Sequence, residues 1–420
     1  MKKMLTALSV CTLLIFGLII YNRLHTRSTA PRELHVFLES YATNPAFSQI
    51  IEYVKLPQST RKIIAWHRFP NRADILDLKA ENTIEIPLQK GEFHWQNSTY
   101  RVLFATLFEL IKDPDLQLIF HANMRKMNTV LRPFLTWIPK DRIAHIHLYE
   151  DGYGELFKNE LWRTENQKSF SPESLQKGLK NSTHWDDLMI LQLHRFYPVT
   201  YHFYAYDTAK KDPQFHSMIE FLHELNIENI DFSELNQTLD NAQKQKIYHL
   251  SGFDYAYYAD LMKNKKTVIY LMGYHPIDKE NEAFERLFLH RLREDETFTQ
   301  IKAADYLWFY KPHPSFQASA AASVIKQEFP DMIEINARIP FEIFILSGLR
   351  PNYVAGYSSS AFYPMEKDEI LYFIKRPWDD FHNRLGDAYA AFLLNVRHVD
   401  ENRLITFNEA LKNFVPRRTF

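Results

Sequence analysis

Glycine is scarce in this chain, with 10 among 420 residues, well under the roughly 7% of an average protein. No G-x-G-x-x-G and no G-x-x-x-x-G-K-[ST] can be assembled from them, so the main sequence evidence for a nicotinamide dehydrogenase or a P-loop enzyme is missing. Cysteine is nearly absent. The single Cys11 lies in an apolar leader, and the rest of the chain can build neither an internal disulfide nor a thiolate zinc cage. An excess of charge is lacking too: 50 Lys and Arg stand against 51 Asp and Glu, for a net charge of -1. A nucleic-acid backbone would find no basic field to hold it, and no nucleic-acid partner is expected.

Long apolar runs are missing with one exception. After Lys2 and Lys3, Met4 to Tyr21 form an apolar run of 18 residues, close to the roughly 20 that cross a hydrocarbon core. No small-x-small cleavage site follows, so a retained membrane-anchor helix is expected, with residues 1–32 as anchor or signal plus tether. Arg23, Arg27 and Arg32 after the run favour a body on the cytoplasmic side. The remaining chain is ordinary globular material, 46% hydrophobic and 24% charged overall.

The body alternates short runs rich in β-branched and aromatic residues with longer amphipathic stretches, the pattern of β-α units around parallel sheets. One series of expected strands is Leu34 to Leu38, Lys62 to Trp66, Leu116 to Phe120 and Arg142 to Tyr149. A second is Thr267 to Met272, Tyr306 to Tyr310, Met332 to Ile335, Tyr353 to Ala355 and Ile370 to Ile374. Between them lies a polar stretch from about Asn159 to Asp186, then His194 to Asp207 with Pro198 marking a crossing. Two α/β domains are expected, 33–200 and 201–390, with 391–420 packing back on the first.

Several expected strands end in compact polar motifs: His121 and Asn123, Glu150-Asp151-Gly152, Lys311-Pro312-His313-Pro314, and Ser358-Ser359-Ser360. Ligands of parallel α/β sheets bind beyond the carboxyl ends of the strands, where loops and helix amino termini present unpaired N–H groups. The Glu150-Asp151-Gly152 turn reads either as a helix-capping surface turn or as a carboxylate able to accept a proton from a hydroxyl. Lys311 and His313 share one side of a chain stiffened by two prolines, and suit an anion, or else form an ordinary loop. The serines fit either an N-cap or a phosphate cradle. Glu342, an acid within an apolar stretch, fits sugar hydroxyls or an arginine partner. His145 and His147 share a strand face but lack further ligands at defined spacing, so no metal site is expected. Asp113-Pro114-Asp115 precedes a strand and reads as a loop.

The order of these motifs resembles the bacterial CMP-sialic acid sialyltransferases of glycosyltransferase family 80, which carry a D/E-D/E-G motif, an H-P motif and a late serine pair. Here these are Glu150-Asp151-Gly152, His313-Pro314 and Ser359-Ser360. Trp66-His67-Arg68-Phe69, Tyr197 to Phe203, Ser251-Gly252-Phe253, and Phe329 to Met332 through Phe341-Glu342 extend the resemblance over most of the body. It implies a GT-B fold, two Rossmann-like domains facing across a cleft, and inverting, metal-independent transfer without a cofactor, CMP-sialic acid being the donor substrate.

Carried over by position, the resemblance makes Asp151 the base and His313 the residue at the CMP phosphate. Gly273, Lys311, Glu342, Ser359 and Ser360 bind the donor; Arg68, Asn123 and Glu150 lie toward the acceptor and sugar. This chain departs at Gly273-Tyr274-His275-Pro276, which replaces a threonine-rich turn ending in tryptophan, at Lys126 in place of a histidine, and at Pro340 in place of a serine. The expected activity is sialyl transfer to a galactoside-type terminus of a bacterial lipooligosaccharide or capsule, by an enzyme anchored in the inner membrane with a cytoplasmic body. The alternatives are a GT-B enzyme using another sugar nucleotide, CMP-Kdo-like or a UDP-hexose, and a non-catalytic anchored glycan-binding protein.

Overall fold

The computed structural model describes residues 32–39, 42–66, 77–87, 92–124, 130–151, 193–204, 206–211, 224–272, 306–313, 320–356, 364–375 and 404–406, with 286, 394–395 and 399. The chain divides into two compact units, the first formed by residues 1–151, 168–202 and 225–228, the second by 152–167, 203–224 and 229–420.

Among the described residues the first unit holds a seven-stranded sheet in the order β3-β2-β1-β4-β5-β6-β7. Its strands are β1 (Glu33–Glu39), β2 (Arg61–Trp66), β3 (Thr83–Glu85), β4 (Gln117–Asn123), β5 (Ile143–Tyr149), β6 (Val199–Phe203) and β7 (Asn226–Asn229). Parallel pairing joins β1 to β2 and β4, β2 to β3, and β5 to β4 and β6. Near-continuous burial of β1, β2 and β6 is what a parallel sheet covered on both faces requires. Helix α1 (Thr43–Lys55) places Phe47, Ile50, Ile51 and Val54 at helical spacing and buries them. Its Tyr53 ring meets Phe37 and Trp66 edge-on, and Gln49 accepts from the Trp66 indole. Helix α2 (Glu92–Lys112) buries Val102, Leu103 and Thr106 and packs beside β2 and α3 (Arg132–Trp137). Phe134 of α3 reaches Phe120 of β4.

Among the described residues the second unit holds a six-stranded sheet in the order β10-β9-β8-β11-β12-β13. These strands are β8 (Thr267–Leu271), β9 (Leu307–Lys311), β10 (Ile333–Glu334), β11 (Tyr353–Gly356), β12 (Ile370–Lys375) and β13 (Leu404–Thr406), all parallel. The helices in chain order are α4 (Tyr206–Ala209), α5 (Phe232–Thr238), α6 (Asn241–Ser251), α7 (Tyr255–Met262), α8 (Ala320–Glu328) and α9 (Glu342–Leu346). Asp240 caps α6 with a reciprocal Gln243 contact. Phe253, Tyr258 and Phe344 interlock their rings where α7 and α9 pack over the sheet.

Four strands were not anticipated. Residues 194–207 were read as a polar crossing, yet Val199–Phe203 is a wholly buried strand and Pro198 sits just ahead of it. Val199 to Phe203 alternate apolar and polar residues as a strand does, but the polar residues before Pro198 mask that pattern. The first sheet thus runs past residue 200, through β6 and β7. The β4 strand extends to Asn123, so His121 and Asn123 are strand residues rather than the loop that follows. Of 391–420, expected to pack on the first domain, the described strand β13 pairs with β12 in the second sheet. The expected anchor lies outside the described residues; among those described, no helix is long and apolar enough to cross a membrane.

Gly356 ends β11 at φ 126°, and a Cβ there would lie 2.1 Å from the carbonyl oxygen of Leu271, at the end of β8. Gly356→Ala therefore costs on the order of 3 kcal/mol through strain and overpacking. Thermal unfolding should show a marked fall in midpoint, and an unchanged midpoint would refute the close approach.

Candidate functional site

Each sheet has a point where successive strands leave in opposite directions, and crevices at such switch points bind ligands. In the second sheet it lies between β8 and β11, in the first between β1 and β4. Most of the residues singled out from the sequence belong to strand ends at or next to these two points.

In the first unit, Asn123 ends β4 and is buried, opposite Tyr149, the last residue of β5. Glu39, buried at the end of β1, accepts the Ala42 N–H at 2.7 Å where α1 begins. Main-chain bonds extend the sheet past its last pairs: Met124 N–H donates to the Tyr149 carbonyl at 2.8 Å, and Glu150 N–H to the His202 carbonyl at 3.0 Å. These ties hold the Glu150-Asp151 turn against β4 and β6. Glu150 is completely buried and Asp151 partly exposed. Of the two residues, Asp151 is the one open to solvent. Arg68 lies outside the described residues.

Beneath this edge runs a row of histidines that the sequence reading left unconnected. Strand alternation gives one face of the sheet His35 and Phe37 from β1, His121 from β4, His145, His147 and Tyr149 from β5, and Thr200 and His202 from β6. His35 Nδ1 is 3.0 Å from His121 Nε2, and His121 Nδ1 is 2.9 Å from the Tyr149 hydroxyl. His147 Nδ1 is 3.0 Å from His202 Nε2, and His145 Nε2 is 2.8 Å from the Thr200 hydroxyl. The His121 ring stacks on Phe37 at 4.2 Å and on His147 at 4.7 Å, and His202 stacks on Tyr149 at 4.4 Å. Such rings share faces and edges instead of converging on a point. Among the described residues no group of three or more His, Cys, Asp or Glu is disposed to hold a metal ion. The available signal is a histidine inside each of β1, β4 and β6 and two at i, i+2 in β5.

Burial keeps these imidazoles neutral. It lowers His35 to about 4, with the Lys62 charge adding to the effect, and His147 to about 3, with His145 and His35 adding to it. Burial and neighbouring histidines put His121 and His202 well below the ordinary value, Lys55 contributing at His202. Glu228 lies 3.3 Å from His202 and is itself raised, first by burial.

In the second unit, Lys311 ends β9 opposite Leu271, and its carbonyl accepts the Met272 N–H at 3.0 Å. Its side chain is buried, with Nζ 3.4 Å from the Ala337 carbonyl. Burial lowers the ammonium to about 8, while the Glu342 carboxylate works in the opposite direction. Glu342 opens α9 and is buried. The field of Glu342, 31 positions along the chain, thus favours the charged lysine. His313 follows two residues beyond the strand, partly exposed, after a buried Pro312. Gly273, Ser359 and Ser360 lie outside the described residues, although the strands leading to them, β8 and β11, flank the switch point.

The histidine row makes a testable demand on stability. Below pH 6.5 the unfolded chain takes up protons that the folded chain refuses until pH falls to the lowered values, so stability is full above 6.5 and is lost as pH falls. Each of His35, His121, His147 and His202 contributes a slope of up to about 1.4 kcal/mol per pH unit. Denaturant unfolding between pH 7 and 5 should show this decline, less steep in His147→Asn; a flat profile would contradict it.

The model of the family described as Sialyltransferase PMO188 matches residues 34–384, a range that contains every site residue named above. No curated protein sequence matches. Among solved structures, the GT-B domain of a sialyltransferase from Photobacterium damselae is 20% identical, with a TM-score of 0.68, covering 89% of this chain and 99% of that one. An α/β-galactoside α-2,3-sialyltransferase from Photobacterium phosphoreum is 18% identical, with a TM-score of 0.68 and coverage of 90% and 98%. A 2,6-sialyltransferase from a Photobacterium species, solved with CMP and lactose, is 16% identical, with a TM-score of 0.67 and coverage of 89% and 78%. The two parallel α/β sheets are those of the GT-B fold, and the chain is a glycosyltransferase that belongs to this sialyltransferase family.

Proposed function

We propose that this enzyme transfers sialic acid from CMP-sialic acid to a galactoside-type terminus of a bacterial surface glycan, lipooligosaccharide or capsule, with inversion and without a metal. The observation that carries the reading is the family match over residues 34–384, within which the expected base, anion-binding and serine motifs all fall. The related enzyme solved with CMP and lactose supports the choice of donor and of a galactoside acceptor.

In this reading Asp151 accepts the proton of the acceptor hydroxyl while that oxygen bonds to the anomeric carbon. The bond from that carbon to the phosphate oxygen breaks, and CMP departs with the electron pair. Lys311 and His313 meet the negative charge that grows on the phosphate, the ammonium by field and the imidazole by hydrogen bond or proton. Glu342 holds Lys311 charged and accepts from the ribose hydroxyls; Gly273, Ser359 and Ser360 complete the nucleotide side, and Arg68, Asn123 and Glu150 the sugar and acceptor side. The residues 1–32 anchor the body at the inner membrane, on the cytoplasmic side where sugar nucleotides are made.

Turnover of CMP-sialic acid with lactose, read as CMP release and sialylated product, tests this. Asp151→Asn should lose about 10²- to 10⁴-fold in turnover while still binding CMP. Lys311→Met should weaken CMP binding roughly 10- to 100-fold, the loss of one charge-assisted contact. Failure to turn over any CMP-activated acid sugar would overturn the reading, and a thermal shift with UDP but not CMP would replace the donor.

A further inference from the structure

The outer face of α2 is unusual. Tyr100, Phe104 and Phe108 follow one another at i, i+4 and i+8 and are 46%, 66% and 51% exposed. They form one stripe about 12 Å long on the side opposite the buried Val102, Leu103 and Thr106. Trp137 ends the neighbouring helix α3 and is 67% exposed. Three large apolar side chains on one helix face, with a fourth at the end of a helix that packs against it, exceed the scattered exposure normal for a soluble surface.

Cations border the stripe. Lys112 lies over the Phe108 ring at 4.3 Å and Arg101 is exposed one turn before Phe104, while Lys140, three residues beyond Trp137, lies over the Tyr197 ring. Several nearby acids are paired: Glu109 with Lys112, Asp113 with Arg61 and Asp115 with Arg32. Aromatic rings on a helix face that also carries long basic side chains, here Arg101 and Lys112, suit a helix lying in a lipid headgroup layer.

The position of the patch points to the same partner. Arg32 is bound beside the end of α2: its carbonyl accepts the Gln117 N–H at 2.7 Å and its guanidinium pairs with Asp115, three residues after Lys112. Upstream, residues 22–31 can span at most about 35 Å before the apolar run that ends at Tyr21. A run held in a bilayer would keep the carboxyl end of α2 close to that surface.

We propose that Tyr100, Phe104, Phe108 and Trp137 form a second membrane contact, docking the first unit on a phospholipid surface independently of the apolar run. The inference rests on the anchor reading for its choice of partner and is independent of the donor and acceptor assignments.

The test uses the full chain with Cys11→Ser, which removes the native thiol, and Tyr100→Cys carrying an environment-sensitive fluorophore, on anionic phospholipid vesicles containing brominated lipid. A second protein carries the label through Gln245→Cys, an exposed position on α6. The expected result is a blue shift and quenching at position 100 but not at 245. Adding Phe104→Ser and Phe108→Ser should reduce the quenching to the level at 245 while the protein stays vesicle-bound. A label that remains in water on vesicle-bound protein overturns the proposal and leaves the anchor standing. A blue shift without vesicles that grows with protein concentration overturns it in favour of a second copy as partner. Absence of vesicle binding removes both membrane contacts, and turnover in detergent then shows that the sialyltransferase reading is unaffected.

Discussion

In a parallel sheet every strand delivers its carboxyl end to the same edge, and the polar residues of this chain are arranged around that constraint. Asn123, Asp151, Lys311 and His313 each terminate or follow a strand. The chain at or beside these strand ends is held by main-chain bonds to the next strand over, such as Glu150 to His202 and Met272 to Lys311. At Gly356, β11 passes so near the Leu271 carbonyl that no side chain fits. An enzyme poor in glycine has kept one where its second sheet changes winding direction.

The same constraint explains the cost the first unit carries. Strand faces covered by helices are normally filled with Val, Ile and Leu, yet one face here holds His35, His121, His147 and His202. Neutral rings bonded edge to edge satisfy their own polar atoms and stack like aromatic core residues. They lie directly below the strand end that presents Asp151, so the turn is supported by groups that tolerate burial only while uncharged. In the second unit the buried charge is kept rather than avoided: Lys311 is matched by Glu342, which limits the loss of its proton.

Much of this could be read from the sequence. Nine strands were expected near their observed places because their apolar runs are short, β-branched and bounded by breakers; β1, β2, β5 and β8 are examples. Short or polar strands were missed. β3 and β7 read Thr-Ile-Glu and Asn-Ile-Glu-Asn, too brief and too polar to differ from loops. β6 resembles a crossing in sequence because Pro198 and the polar residues from His194 precede it.

The sequence by itself determined the class of fold, the identity of the motif residues and their order, because apolar periodicity and motif spacing are local properties. Only the tertiary structure decided which residue of Glu150-Asp151 is open to solvent, that Glu342 favours the charged Lys311, and that histidines far apart in the chain form one row. Burial and electrostatic pairing depend on which strands lie side by side. Strand order is set by the packing of the whole unit and is written in no single segment.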